Sequence, residues 1–372
     1  MTVKELIARS KAAQAEFAFA TQEQADAAAK AICKVVYDNA EKLGPMAAEE
    51  SRMGSEQDKI AKCRNKSALI WESLKGKKSC DIINRIEERR MIEVAKPVGV
   101  VASIIPSTNP VVTPMSNGAF ALKCRNSVIF APHPRAVKCT KLLVEMFRAE
   151  LKKLGLPEDL VLGLEEVSND LTSELMSAAD MVVATGGMGM VKAAYSSGKP
   201  AIGVGQGNVQ CIIDEDADIA DAVGKIIIGR AFDNGLICLG EQTVFVPEDK
   251  EAEFVAEMKK QGGYLVEGEE NVDKLREGLF PGGGAFSRVV VGMFADQVSD
   301  EIGLGAPKGT RVLFAKAKAL GAGDVLCREK LCPVIAYMTY KTFKEGVAMM
   351  EANLDHEGKG HSIAVHSNTP EN

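Results

Sequence analysis

The sequence predicts an α/β fold with two domains, and three observations lead to this prediction. The chain has 372 residues, of which 46% are hydrophobic, and this length exceeds what one ordinary core accommodates. From Val98 onward, short apolar runs rich in β-branched residues alternate with helix-like segments. Those runs are continuous rather than alternating, which is typical of parallel strands covered on both faces by helices.

The chain before residue 79 is predicted to be helical. Residues 3–50 are rich in alanine, and a polar, lysine-rich helical stretch follows as far as Lys78. In the first stretch, apolar residues recur at spacings of three and four: Ile7, Ala8, Phe17, Ala27, Ala31 and Val35. No heptad pattern or internal repeat indicates a coiled coil or a solenoid.

Residues 1–229 are predicted to combine these helices with a nucleotide-binding α/β domain. Helices are predicted at Pro134–Lys153 and Thr172–Ala179. The predicted strands are Val98–Ile105, Ser127–Ala131, Met181–Ala184, Ala201–Val204 and Cys211–Ile213.

Residues 230–372 are predicted to form a second α/β domain. Helices are predicted at Lys250–Gln261 and Thr342–Ala352, and Pro281–Gly284 is predicted to be a loop. The predicted strands are Thr243–Val246, Val289–Val291, Arg311–Phe314, Val334–Tyr337 and Ser362–His366. Because the chain ends in polar residues directly after a predicted strand, this domain is expected to be incomplete at its C-terminal side.

The charge balance excludes some classes of partner. The net charge is −6 and 26% of the residues are charged, which argues against a nucleic-acid-binding surface. No apolar run approaches the roughly 20 residues that span a bilayer, and the first residues lack a signal-peptide core. A cytoplasmic location without a membrane partner is therefore expected.

The nine cysteines do not form a recognisable framework. Their number is odd and no C-x-x-C pair exists, so neither disulfides nor a zinc site is favoured, and no metal is predicted. Cys238 stands out in AFDNGLICLGEQ, because a turn signal precedes it and Gly240 follows it. A cysteine on such a turn can present a nucleophilic thiolate, although a buried core cysteine fits the local pattern slightly better.

Two glycine-rich turns follow predicted strands. In ATGGMGMV, Gly186, Gly187 and Gly189 lie between a strand and a helix, an arrangement that can bind phosphate, although a plain turn fits equally well. In GVGQGN, alternate glycines allow a ligand or another backbone to approach, or mark a bulge.

Four polar motifs are further candidates. Asn109 in PSTNP could donate to an oxyanion, or form a simple turn, which the motif alone favours. His133 and Arg135 in APHPR follow a predicted strand, where they could face a ligand or solvent. Glu329 lies in REKLCPV. His361 in GKGHS could be a general acid or base, although a lone histidine is more often structural.

Taken in order, the motifs resemble the aldehyde dehydrogenase superfamily. They are similar above all to its CoA-acylating branch, which includes acylating succinate-semialdehyde dehydrogenases and the dehydrogenase half of bifunctional aldehyde/alcohol dehydrogenases. The resemblance extends from residue 4 to the end of the chain. The ordered motifs are E-x-A-x-P-x-G-V-V, P-x-T-N-P, A-P-H-P-R, A-T-G-G-x-G-M-V, G-V-G-x-G-N, F-D-N-G-x-x-C, E-K-x-C-P-V and G-x-G-H.

The resemblance implies roles for individual residues. Cys238 matches the nucleophile, Asn109 the side-chain donor to the oxyanion, and His361 a histidine near the nucleophile. NAD or NADP is the implied cofactor and coenzyme A the implied acyl acceptor. The implied cofactor-binding residues are Thr108, His133, Arg135, Gly186, Gly187, Gly189, Gly205 and Glu329.

One departure from the family bears on the reaction. Hydrolytic members carry a glutamate in E-L-G-G that activates water, whereas this chain has G-V-G-Q-G with Val204 at that position. The resemblance therefore implies that the Cys238 thioester is passed to the thiol of coenzyme A. A hydrolytic enzyme and a truncated, non-catalytic relative that binds only nucleotide or partner subunits remain alternatives.

The substrate implied by the resemblance is a short anionic aldehyde. Succinate semialdehyde is expected first, followed by sulfoacetaldehyde or acetaldehyde. Arg230 is a candidate partner for the anionic group, although a structural ion pair is the more common role of such a residue. The expected partners are therefore the aldehyde and coenzyme A, with a homo-oligomer if the C-terminal part of the family fold is present.

Overall fold

The computed structural model describes residues 1–372, which form two compact units. The first comprises Met1–Arg52 and Glu56–Gly205, and the second comprises Met53–Ser55 and Gln206–Asn372. This division lies before the predicted boundary at residue 229, because strand Gln210–Ile213 pairs with strands of the second unit. No helix has both the length and the apolar character needed to cross a membrane.

The first unit begins with helices that start at well-defined caps. Thr2 accepts a hydrogen bond from the backbone of Glu5, whose carboxylate accepts one from the backbone of Thr2, and Thr21 with Gln24 repeats the pattern. The helices are α1 (Val3–Phe17), α2 (Gln22–Asp38), α3 (Ala40–Ser51), α4 (Glu56–Leu74), α5 (Val112–Lys123), α6 (Val137–Lys153), α7 (Asn169–Ala178) and α8 (Met188–Tyr195).

A five-stranded parallel sheet forms the core of this unit. Its order is β5-β4-β3-β6-β7, and β3 and β4 are buried throughout. The strands of the unit are β1 (Asp81–Ile86), β2 (Met91–Ala95), β3 (Val100–Ile105), β4 (Ser127–Pro132), β5 (Val161–Gly163), β6 (Met181–Thr185) and β7 (Ala201–Val204). The predicted parallel α/β fold is confirmed here.

Strands β1 and β2 form a separate antiparallel hairpin, which no sequence pattern predicts. Nearly every residue of both strands is exposed, so the hairpin has no buried face within the chain. Its exposed apolar residues are Ile82, Ile83, Met91, Ile92 and Val94.

The second unit is built on a six-stranded parallel sheet in the order β10-β11-β12-β9-β8-β13. Its strands are β8 (Gln210–Ile213), β9 (Thr243–Pro247), β10 (Gly263–Leu265), β11 (Val312–Lys316), β12 (Val334–Tyr340) and β13 (Ile363–His366). Its helices are α9 (Ile219–Ala231), α10 (Glu251–Lys260), α11 (Glu269–Leu279), α12 (Ala295–Ile302) and α13 (Phe343–His356).

The predicted strand at Val289–Val291 is wrong. Residues 288–292 form bends and a turn, with Val289 55% exposed and Gly292 at a φ of 68°. The backbone of Gly292 instead donates to the carbonyl oxygen of Leu331 at 2.8 Å and accepts from the backbone of Gly54 at 3.0 Å. The segment therefore links the loops that carry Gly54 and Leu331, and it does not extend the sheet.

Candidate active site

Four site residues of the second unit each precede one of four adjacent strands. Gly207 precedes β8, Cys238 precedes β9, Glu329 precedes β12 and His361 precedes β13, and these strands are neighbours in the order β12-β9-β8-β13. Because the strands are parallel, their amino ends meet at one edge of the sheet. This topology collects residues that lie far apart in the sequence.

Cys238 is exposed on a turn, as the sequence predicts. The turn is closed by a 3.1 Å hydrogen bond from the backbone of Gly240 to the carbonyl oxygen of Ile237. The chain reaches it through three consecutive residues with positive φ, Asp233 at 50°, Asn234 at 53° and Gly235 at 73°. Two of these lack the freedom of glycine, so this approach stores backbone strain that its surroundings must hold.

The strained segment is held by side-chain hydrogen bonds. The carboxylate of Asp233 accepts from the backbone of Ser55 at 3.1 Å, and the amide of Asn234 donates to the carbonyl oxygen of Gly292 at 2.9 Å. All three of Asp233, Asn234 and Gly235 are buried. The loop that carries Cys238 is therefore anchored at its start.

Arg230 lies beneath the same loop. Its side chain is fully buried, and Nη2 donates to the carbonyl oxygens of Lys330 and Cys332. A Cβ atom on Gly235 would lie 2.6 Å from the Cys332 carbonyl, which shows how closely these segments pack. Arg230 is thus held by backbone carbonyl oxygens, and its contact with substrate remains a prediction.

The predicted site residues of the second unit, Cys238, His361 and Glu329, lie around Gly207. A Cβ atom added there would lie 2.5 Å from the carbonyl oxygen of Cys238 and 3.1 Å from both Cys238 Cβ and His361 Cε1. Its backbone N–H donates to Oε1 of Glu329 at 2.8 Å. The close approach of another backbone that the G-V-G-Q-G-N pattern allows is thus made at Gly207 by Cys238.

Glu329 is 9% exposed, and burial raises the pKa of its carboxyl group above its ordinary value. Its own backbone N–H donates to the carboxylate of Glu357 at 2.6 Å. The side chain of Asn208 donates to the carbonyl oxygens of Cys327 and Glu357, at 2.8 and 3.1 Å. Glu357 and Asn208 thus fix the two loops that carry Glu329 and His361, and no sequence motif signals this role.

One ring nitrogen of His361 is hydrogen-bonded to the backbone. Nδ1 accepts a hydrogen bond from the backbone of Ser362 at 2.8 Å, so the neutral ring carries its proton on Nε2. Burial lowers the pKa of this histidine, which favours the neutral form.

In the first unit, Asn109 follows β3 and is half-buried. Its Oδ1 accepts from the ammonium group of Lys62 at 3.0 Å, and its Nδ2 donates to the hydroxyl of Thr108 at 3.2 Å. Lys62 is missing from the sequence-predicted residues, because it lies 47 positions earlier on a helix with no motif.

The glycine turn after β6 opens onto space. Gly187 is the N-cap of α8, and a Cβ atom on Gly187 or Gly189 would meet no other atom within 4 Å. The first-turn N–H groups of a helix have no partner within it and favour negative charge. At the neighbouring strand β7, Val204 is 39% exposed, and a Cβ atom on Gly205 would lie 2.8 Å from Sδ of Met188.

His133 and Arg135 follow β4 and are exposed. The backbone of Arg135 donates to Nδ1 of His133 at 3.1 Å. The motifs after β4, β3 and β6 lie on three adjacent parallel strands, so they share the carboxyl edge of the first sheet. That edge is where open α/β sheets bind ligands.

The sequence profile of the aldehyde dehydrogenase family matches residues 1–274. The chain belongs to this family. Over its full length it is 47% identical to the succinate-semialdehyde dehydrogenase (acetylating) of Clostridium kluyveri, and the match covers 82% of that relative. Over 98% of its length it is 40% identical to the sulfoacetaldehyde dehydrogenase (acylating) of Bilophila wadsworthia, and the match covers 80% of that relative.

A solved aldehyde dehydrogenase structure matches both units. The propionaldehyde dehydrogenase of Rhodopseudomonas palustris with bound propionyl-CoA superposes with a TM-score of 0.87 at 28% identity, covering 100% of this chain and 81% of that one. The predicted fold and the predicted relation to the acylating aldehyde dehydrogenases are therefore confirmed.

Proposed function

We propose that this aldehyde dehydrogenase is CoA-acylating and converts a short anionic aldehyde, with NAD or NADP, into an acyl-CoA through a thioester on Cys238. The observation that carries the proposal is the meeting of Cys238, His361 and Glu329 around Gly207. The names of the two relatives specify acetylating and acylating enzymes, which supports the same reaction class.

Cys238 is the proposed nucleophile. Its thiolate adds to the aldehyde carbon and forms a thiohemiacetal, whose oxyanion would be stabilised by the amide of Asn109 and the backbone N–H of Cys238. When bound, NAD or NADP accepts the hydride that leaves this carbon. The product on Cys238 is a thioester, which the thiolate of coenzyme A then attacks while the Cys238 thiolate departs.

The first unit is the proposed nucleotide-binding domain. Open space at Gly187 and Gly189, together with the positive end of the α8 dipole, fits a pyrophosphate. Gly186, Gly205 and Thr108 would lie near the cofactor, and His133 and Arg135 would lie near its adenosine ribose. Glu329 is the proposed partner of the nicotinamide ribose.

His361 is proposed to act as a donor during acyl transfer. With Nδ1 occupied by the backbone of Ser362, the ring offers Nε2–H to a negative charge on the acyl oxygen or the leaving sulfur. In the reverse direction, the same N–H favours the tetrahedral adduct formed when the Cys238 thiolate attacks the acyl-CoA.

Two features favour coenzyme A over water as the acyl acceptor. Val204 supplies no carboxylate at the position where hydrolytic relatives carry a base. The carboxylate of Glu329 already accepts the N–H of Gly207 at 2.8 Å, which restrains it from serving as a general base. The thioester would therefore persist until a thiol arrives.

Succinate semialdehyde is the first proposed substrate, with sulfoacetaldehyde second. Both aldehydes named for the relatives carry an anionic group, a carboxylate or a sulfonate. We also propose that the protein self-associates, since the exposed apolar side chains of β1 and β2 have no cover within the chain.

The test is reduction of the nicotinamide cofactor by the purified protein with succinate semialdehyde, with and without coenzyme A, beside a Cys238→Ala control. NAD and NADP are assayed separately. Turnover that requires coenzyme A and is lost in the control supports the proposal. Repeated turnover without coenzyme A would indicate hydrolysis, and an inactive protein would support the non-catalytic alternative.

A further inference from the structure

Asn109 has a charged partner inside the first unit. Nζ of Lys62 donates to Oδ1 of Asn109 at 3.0 Å, and the lysine is only 5% exposed on helix α4. Burying an ammonium group costs free energy unless its N–H groups are hydrogen-bonded, and Asn109 accepts one of those bonds away from the surface.

The contact fixes the orientation of the amide. An ammonium group only donates hydrogen bonds, so the oxygen of Asn109 must face Lys62 and its NH₂ group must face away. One of the two N–H bonds of that group points to the hydroxyl of Thr108 at 3.2 Å. The second N–H remains available to a developing negative charge.

Lys62 also polarises the amide. A positive charge on the oxygen side draws electron density from the nitrogen, so the remaining N–H becomes a stronger donor. Because the Lys62 side chain is little exposed to water, solvent does not screen the effect of its charge on the amide. Because the Asn109 N–H is already oriented, it needs no reorganisation when the oxyanion forms.

We propose that Lys62 is a positioning residue that orients and polarises Asn109 for oxyanion stabilisation. The inference rests on the proposed function, in which Asn109 is the side-chain donor. Lys62 would act only through Asn109, so its removal should lower kcat more than it changes KM for the aldehyde.

The experiment compares Lys62→Met, Lys62→Arg and Asn109→Ala with the native protein, in CoA-dependent turnover of succinate semialdehyde. Lys66→Met is the control, because it makes the same change one helical turn further along α4 at a more exposed position. Thermal unfolding of every variant shows which ones fold. Lys62→Arg keeps the charge and the donor, and it should recover part of the rate if the fold holds.

We expect Lys62→Met to lower kcat by at least ~10-fold, and Asn109→Ala to lower it by ~100-fold or more. The double variant Lys62→Met/Asn109→Ala should be no slower than Asn109→Ala alone. Full activity of Lys62→Met, or multiplied losses in the double variant, would overturn the inference while leaving the proposed function intact. An inactive native protein would overturn both.

Discussion

The backbone N–H of Gly207 donates a 2.8 Å hydrogen bond to Oε1 of Glu329, across 122 positions of sequence. The bond joins the loop before β8 to the loop before β12, and the carbonyl of Cys238 lies against the same glycine. A side chain added at Gly207 should therefore displace Cys238 directly.

Gly207→Ala should reduce activity far more than stability. The added Cβ would lie 2.5 Å from the carbonyl oxygen of Cys238, so the turn carrying the thiol must shift. A displacement of about 1 Å can cost about 100-fold in rate. The measurement is kcat/KM with thermal unfolding. Gly118→Ala, whose Cβ would make only an ordinary 3.4 Å contact with Phe130, should retain near-native activity, and equal activity in both variants would contradict the prediction.

Glu329→Gln should flatten the dependence of stability on pH in the acidic range. Burial raises the pKa of Glu329, so in the window above its unfolded pKa the folded state binds more protons than the unfolded state. Its contribution to stability is therefore present below the unfolded pKa and is lost as pH rises through the folded pKa. Urea unfolding at several pH values from 4 upward, compared for native and variant protein, measures this. Identical slopes would show that Glu329 titrates normally.

Val204→Glu should introduce turnover without coenzyme A. A carboxylate at this partly exposed position would supply the base that hydrolytic relatives carry, so water could attack the thioester on Cys238. Cofactor reduction without coenzyme A is the measurement, and Val204→Gln is the matched control without a base. If neither variant turns over without coenzyme A, the residue at position 204 does not decide the acyl acceptor.

Asp324→Asn should destabilise the second unit. Arg276 donates to both oxygens of Asp324, at 3.0 and 2.7 Å, and the aspartate side chain has no exposure. Breaking such a buried pair costs ~3 kcal/mol or more. Asp273→Asn removes the exposed partner of the same Arg276 and should cost below ~1 kcal/mol. Urea unfolding of the two variants compares them, and equal losses would contradict the buried-pair argument.

The same pair predicts an acid limit to stability. Burial alone would raise the pKa of Asp324, but hydrogen bonds from Arg276 and from the backbone of Lys318 and Leu326 outweigh it and lower that pKa. The stabilisation is present above the unfolded pKa of aspartate and is lost as pH falls through the lower folded value. Native protein should lose stability below about pH 4 more steeply than Asp324→Asn.

The apolar runs predict strands whether or not both faces are buried, since β4 is buried throughout whereas β7 alternates between half-buried and exposed residues. Ser127–Ala131 and Met181–Ala184 are continuous apolar runs, and each is a strand extended by one residue in the structure. The hairpin of β1 and β2 was not predicted, because its residues are exposed and follow neither a buried run nor a strict alternation. Val289–Val291 resembles a buried strand in sequence, but only Val290 is buried.

Single site residues were predictable where a motif carries them, and contacts between motifs were not. Cys238 and Asn109 stand in short, ordered motifs, and their roles remain proposals. Lys62 and Gly207 gain their significance from partners 47 and 122 positions away, which no local pattern encodes. The same holds for Arg230, whose burial under the Cys238 loop depends on carbonyls 100 and 102 positions later.

The strand order of the second sheet constrains how the chain can be assembled during synthesis. Strand β12 lies between β11 and β9, yet it is made after both. Without β12, the pair of β8 with β9 and the pair of β10 with β11 would be two separate ribbons, each with an edge of unpaired backbone N–H and C=O groups. Such edges attract other chains, so slowing translation before Val334 should increase aggregation and chaperone dependence of the nascent protein.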